Sequence, residues 1–105
     1  MRKERRLSTR REISINVALY YNRLGLLPCK TRDLCMEGMF VHTSRVNLSE
    51  NVPVDAVFTG WQQPGAAPLR LTARIVRITD EGAALRFHDI EAADYQALRK
   101  VLHET

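Results

Sequence analysis

Apolar and polar residues alternate in short segments of this chain, each six to eleven residues long. The first such segment, residues 13–21, places five apolar or aromatic residues on one parity: Ile13, Ile15, Val17, Leu19 and Tyr21. Only an extended strand puts every second residue on the same face, so the pattern predicts a strand with one buried side. Because glycines, prolines and other turn-forming residues separate these segments at short intervals, we expect a small antiparallel barrel or sandwich.

Six segments carry a strand pattern, and their predicted ranges are 13–21, 27–34, 39–44, 52–59, 69–79 and 83–88. The fifth segment is irregular. Its apolar residues keep one parity as far as Ile75, whereas Val76 and Ile78 take the other. This change of phase predicts a β-bulge, or burial of both faces, near Ile75.

The C-terminal segment follows a helical period instead. Its apolar positions recur at a spacing of three or four residues: Tyr95, Leu98, Val101 and Leu102. This stripe predicts a terminal helix that packs on the strands through one face. The local patterns together predict about six antiparallel strands and one helix.

Length and composition limit the class of protein. With 105 residues, 45% of them hydrophobic and 27% charged, the chain suits one domain with one modest core. No apolar run approaches the roughly 18 residues of a membrane span, and the basic start does not lead into a signal peptide. We therefore expect a cytoplasmic protein without membrane insertion. Cys29 and Cys35 are too few for a disulfide framework and form no zinc motif with the three histidines, so we expect reduced thiols and no metal.

The positive charge of the chain is concentrated at its N terminus. Residues 1–11 hold six basic residues and one acidic residue, a net charge of +5, so the other 94 residues carry −1 of the total of +4. Five of the six basic residues are arginines, whose planar guanidinium binds phosphate bidentately and stacks on bases. We predict a flexible basic arm over residues 1–12 and a domain over residues 13–105. The arm is either an anion-binding element or a solvated tail.

Two short motifs could carry binding chemistry. Arg6 and Arg10 lie four residues apart just before the first predicted strand, where they can reach phosphates or lie on a purine. In the sequence DLCMEG, Asp33 and Cys35 precede Gly38 at a strand junction, where glycine would permit a positive φ and a sharp turn. An aspartate accepts from two adjacent N–H groups, such as N1–H and N2–H of guanine. A compact guanine ligand with two negative charges would satisfy both motifs.

No enzyme active site is predicted. Each of His42, His88 and His103 lacks a paired acid and a strained nucleophile turn, and the five glycines form no phosphate-binding loop. We therefore expect a protein that is not an enzyme and has no cofactor.

Three stretches in this order resemble the PilZ domains of bacterial cyclic di-GMP signalling: RRLSTR, DLCMEGMFV and ARIVRITDEGAALRFHDI. The resemblance covers nearly the whole chain. It implies an all-β fold with one helix, in which a six-stranded antiparallel β-barrel is followed by a C-terminal α-helix. It also implies a flexible basic N-terminal arm that closes over cyclic di-GMP.

The same resemblance implies roles for individual residues. Arg6 and Arg10 would contact phosphates and guanine. Asp33, Cys35 and Gly38 would surround a guanine. A sixth residue, Arg5, matches a position at which arginine accompanies the binding of two stacked ligand molecules instead of one.

Cys35 departs from the family pattern, which has serine at this position. A thiol is a weaker donor and acceptor than a hydroxyl, and a neutral hydrogen bond contributes about 0.5–1.5 kcal/mol. We therefore expect a weakened site, not a lost one. The alternative for Cys35 is a small buried core residue.

The leading functional hypothesis is a receptor for cyclic di-GMP that signals by ordering its arm and altering a protein-interaction surface. Its effector protein is not identified by the sequence. One alternative is a PilZ-fold interaction adaptor with weak or no nucleotide binding. The other is nonspecific binding to nucleic acid through the arm, which the low aromatic content and the acidic remainder disfavour.

Overall fold

A computed structural model describes residues 10–21, 25–43, 49–61, 65 and 67–104. The described elements are six strands and one helix: β1 (Asn16–Tyr21), β2 (Gly25–Leu34), β3 (Gly38–His42), β4 (Pro53–Phe58), β5 (Leu69–Ile78), β6 (Gly82–Phe87) and α1 (Ala92–Glu104). The strands form a closed antiparallel barrel in the order β1-β2-β3-β6-β5-β4. The predicted fold class is confirmed.

Apolar side chains at alternate positions along the strands fill the barrel interior. Leu19, Ala56 and Ile75 come from three different strands, and each is completely buried. The helix adds Leu98 and Val101, which are equally inaccessible to solvent. Within the described residues, no helix is both long enough and apolar enough to span a membrane.

The first strand is shorter than its alternating pattern predicts. Ile13 and Ile15 are buried as expected, but they precede β1 and are held by Thr31 of β2. The Thr31 amide donates to the Ile15 carbonyl at 2.9 Å, and the Ile15 amide donates to Oγ1 of Thr31 at 2.9 Å. The same hydroxyl donates to the Ile13 carbonyl. A side chain thus supplies bonds that a regular strand ladder would have made.

The predicted irregularity of β5 is confirmed as a break in its pairing with β6. The register shifts between Ile75 and Arg77, so that Ile75 faces the core while both Val76 and Arg77 are exposed. Two consecutive side chains therefore point to the outside of the barrel at this point. The bulge turns Arg77 toward the cavity described below.

The helix differs from its prediction at one position. Tyr95 was placed on the buried stripe by its spacing, yet it is 36% exposed. It lies in the first turn of α1, which borders a surface cavity and does not sit over the core. Leu98, Val101 and Leu102 are buried as predicted.

Cys29 provides a test of the core. It lies on β2 opposite Val17 and packs partly against the apolar cluster, and this burial raises the pKa of its thiol to about 11. The pKa of this thiol is higher in the folded chain than in the unfolded chain, where it is about 8.5. Burial of the neutral thiol therefore contributes fully to the free energy of unfolding below that pH, and this contribution is lost as the pH rises toward 11. We expect the free energy of unfolding of Cys29→Ala to fall less steeply than that of the wild type between pH 9 and 11 in urea titrations. Equal slopes would contradict burial of a protonated thiol.

Candidate functional site

A cavity of about 780 Å³ lies on the outer surface of the barrel. It is bordered by the turn before β3, the outer faces of β3, β6 and β5, and the first turn of α1. Of the predicted site residues, Arg10, Cys35 and Gly38 line this cavity. Arg5 and Arg6 lie outside the described residues.

The turn that leads into β3 is closed by backbone hydrogen bonds. The Cys35 amide donates to the Gly38 carbonyl at 2.9 Å, and the Phe87 amide donates to the Glu37 carbonyl at 2.8 Å. The second bond ties the turn to the end of β6. The turn is therefore fixed by its position between two strands.

Glycine is required at position 38, although not for the predicted reason. Gly65 is the one described glycine with a positive φ, so Gly38 does not use the left-handed conformation that was expected. A Cβ atom at Gly38 would instead lie 2.2 Å from the carbonyl oxygen of Leu85. Close approach of β3 to β6 excludes a side chain here.

Cys35 is 1% exposed and lines the cavity. It stands apart from the contiguous apolar cluster that fills the barrel, to which its neighbour Leu34 belongs. Its thiol is free of disulfide bonding. The position combines the burial of a core residue with a place at the wall of the cavity.

The two sequence motifs meet at Asp33. Arg11 forms an antiparallel bridge with Leu34, with backbone hydrogen bonds of 2.9 and 2.8 Å. This bridge places Nε of Arg10 3.4 Å from Oδ1 of Asp33. The Asp33 side chain is only 6% exposed, and its Oδ1 atom is buried without a hydrogen bond. A buried acceptor without a donor is costly, so this oxygen is suited to receive an N–H group from a ligand.

Arg32 is a second cation at the same carboxylate. Its Nε donates to Oδ2 of Asp33 at 3.0 Å, and its Cζ lies 3.9 Å from the centroid of the Phe40 ring. Phe40 is on the outer face of β3 and lines the cavity, yet it is 3% exposed. Neither Arg32 nor Phe40 is indicated as a site residue by the sequence pattern, because their contact depends on the pairing of β2 with β3.

Two further arginines that sequence reasoning missed also line the cavity. Arg77 follows the β5 bulge, and Arg86 lies on β6 opposite both Gly38 and Arg74. Neither Arg77 nor Arg86 has a carboxylate within ion-pair distance in the part of the chain that the structure describes. Like charges directly opposite each other are unfavourable, so the Arg74–Arg86 pair favours an anion nearby.

The site is therefore chemically suited to bind an anion and to accept from N–H donors. The described residues contain no group of three or more histidine, cysteine or acidic side chains that could hold a metal. The guanidinium groups that line the cavity suit phosphates, and the buried Asp33 beside it suits a base edge.

The comparisons with known proteins agree with the fold. The model of the PilZ domain family matches residues 2–104. The comparison with curated proteins finds no significant sequence match. Three solved structures share the fold at low sequence identity.

The PilZ domain of CeSA from a cellulose-synthesizing bacterium is 22% identical, with a TM-score of 0.75, over 92% of this chain and 97% of that one. The PilZ domain of Escherichia coli YcgR, a structure with c-di-GMP, is 14% identical, with a TM-score of 0.79, over 96% and 91%. The Bacillus subtilis inhibitor of motility MotI/DgrA is 16% identical, with a TM-score of 0.78, over 100% and 55%. With a family model that matches almost its entire length, the chain belongs to the PilZ domain family.

Proposed function

We propose that this protein is a non-enzymatic receptor for cyclic di-GMP. The observation that carries the proposal is the meeting of two motifs that are distant in sequence: Arg10 contacts Asp33 at 3.4 Å beside the cavity. In the proposed complex, Asp33 accepts from N1–H and N2–H of a guanine, and Cys35 and Gly38 form the adjacent wall. Arg10 contacts phosphate or base, as does Arg6 from the N-terminal segment.

The charges of the cavity support an anionic ligand. Arg77 and Arg86 line it without a carboxylate partner among the described residues, and Arg10 lines it as well. Cyclic di-GMP carries two phosphates, so it can be contacted from more than one side. GMP carries a single phosphate, at one end of one nucleoside, so it offers these arginines fewer contacts.

The proposed signal is ordering of the N-terminal arm on the ligand. Arg10 and Arg11 already lie beside Asp33 and Leu34, so the part of the arm that the ligand would order is residues 1–9. Four basic residues within residues 1–9 precede Arg10, and binding of a dianion would draw them onto the barrel. The folded body, residues 13–105, would then present a changed surface to an effector protein. A free arm and a docked arm are the two states that the ligand distinguishes.

Titration calorimetry with cyclic di-GMP tests the receptor proposal directly, with GMP and GTP as controls. We expect saturable binding of cyclic di-GMP and far weaker binding of both mononucleotides. Equal affinity for all three would contradict the proposal. Absence of binding, together with capture of a defined protein partner, would favour the interaction adaptor.

Cys35→Ser tests whether position 35 faces the ligand. A hydroxyl is the better donor and acceptor, so we expect the affinity for cyclic di-GMP to rise about twofold to tenfold. Cys35→Ala, which removes the polar atom, is the matched control and should show no such gain. A lower Tm with unchanged affinity in Cys35→Ser would mean that the hydroxyl is buried without a partner and that Cys35 is not a ligand contact.

A further inference from the structure

Arginines, not open space, lie against the carboxylate of Asp33. The Asp33 side chain is 6% exposed and is absent from the residues that line the cavity. Arg32 Nε lies 3.0 Å from Oδ2, and Arg10 Nε lies 3.4 Å from Oδ1. A guanine edge can reach both oxygens only after one of these guanidinium groups moves.

Arg32 covers Phe40 as well. Its Cζ atom is 3.9 Å from the ring centroid, which is a stacking distance. Phe40 points away from the apolar cluster of the barrel, so its 3% exposure depends on what lies against its outer face. If Arg32 moved off, an aromatic face would open at the edge of the cavity that Phe40 already lines.

A guanidinium and the edge of guanine have the same donor pattern. Each is a planar N–C–N unit that directs N–H groups at a carboxylate and can stack on an aromatic ring. Arg32 makes one contact of each kind, to Asp33 and to Phe40. These are the contacts that a guanine would make in the same place.

We propose that Arg32 is an internal occupant of the guanine subsite, which a ligand base displaces. This inference rests on the proposed function, because it assigns a competitor to the site where cyclic di-GMP would bind. By competing with the ligand base, Arg32 lowers the affinity of the receptor for cyclic di-GMP. It also disfavours bases that lack the N–C–N donor edge, since these cannot replace its bond to Asp33.

The other contacts of Arg32 permit this exchange. Its side chain is 41% exposed, and its second ion pair is to Glu81, at 3.7 Å, whose side chain is 70% exposed. Exposed pairs of this kind contribute little stability. Arg32 also leaves Oδ1 of Asp33 without a hydrogen bond, whereas a guanine edge has two donors and can satisfy both oxygens.

Arg32→Lys tests whether the planar guanidinium of Arg32, and not only its charge, competes with the ligand base. Lysine keeps the positive charge but has neither the planar fork nor the stacking surface. We expect Arg32→Lys to bind cyclic di-GMP about threefold to tenfold more tightly than the wild type in calorimetry. Arg70→Lys is the matched control. Arg70 is exposed on the outer face of β5, its Cζ lies 5.6 Å from the centroid of the Tyr20 ring, and it does not line the cavity, so the affinity of this variant should not change.

A second measurement follows Arg32 itself. In the free protein, the Nε–H resonance of Arg32 should show a ring-current shift, and Phe40→Leu should abolish that shift. Saturating cyclic di-GMP should move the resonance toward the position of a free arginine. A ligand-bound protein in which the resonance stays unchanged would overturn the proposal.

Calorimetry on the wild type and on Arg32→Lys distinguishes failure of the receptor function from failure of the competing role of Arg32. If the wild type binds cyclic di-GMP and Arg32→Lys binds no more tightly, Arg32 does not compete and only its assigned role is lost. If neither protein binds cyclic di-GMP, the receptor function itself is wrong. Binding by Arg32→Lys alone would support both the subsite and its internal occupant.

Discussion

Deletion of residues 1–9 is expected to abolish binding of cyclic di-GMP and to leave the barrel folded. The deletion removes Arg5, Arg6 and two further basic residues together with one acidic residue, a net charge of +3. It retains the Arg11–Leu34 backbone pair and Ile13 and Ile15, so the described core is intact. Calorimetry should show no saturable heat, while the Tm stays close to that of the full chain. Undiminished binding by the truncated protein would identify these residues as a solvated tail.

Arg10→Ala resolves the contribution of a single guanidinium beside Asp33. Loss of a hydrogen bond to a charged partner typically costs about 1.5–3 kcal/mol, which corresponds to a loss of affinity of roughly tenfold to a hundredfold or more. Arg99→Ala is the matched control, because it removes the same charge from an exposed position on α1. A similar loss in both variants would mean that overall charge, not the site, determines binding.

The second large effect is expected for Gly38→Ala. The new Cβ would lie 2.2 Å from the Leu85 carbonyl oxygen, a backbone atom that cannot rotate away. The β3–β6 pairing must therefore open locally, and overpacking of this kind typically costs about 1–3 kcal/mol. For a domain of this size, the Tm should fall by about 5–20 °C. Binding should weaken as well, because β3, the displaced strand, begins at Gly38 in the wall of the cavity.

Gly25→Ala is the control for this experiment. A Cβ at Gly25 would meet the ring of Tyr21 at 2.3 Å, and that side chain is only half-buried and can turn aside. Its Tm should fall much less than that of Gly38→Ala. If the two variants were equally stable, close approach of β3 to β6 would not be the reason for glycine at position 38.

Local sequence pattern determined the elements of this protein and the faces they bury. Strand alternation depends only on the twofold period of an extended backbone, so Leu19, Leu71 and Leu85 could be assigned to the core without knowledge of their neighbours. The change of parity after Ile75 likewise indicated the bulge, because an extra residue shifts every later side chain to the other face. The helical spacing of Leu98, Val101 and Leu102 identified the buried side of α1 in the same way.

Two motifs in the sequence indicated that Arg10, Asp33, Cys35 and Gly38 share a site, and the tertiary structure alone decided which further side chains join them. Alternation puts Arg86 on the outer face of β6, between the inward-facing Leu85 and Phe87, but only the strand order of the barrel puts β3 beside β6 and makes Phe40 and Arg86 line one cavity. The stacking of Arg32 on Phe40 and the clash that keeps Gly38 free of a side chain have the same origin. These contacts join residues that are distant along the chain or depend on strand register. A local period carries no information about register, since it fixes the face of each residue and not the partner across the sheet.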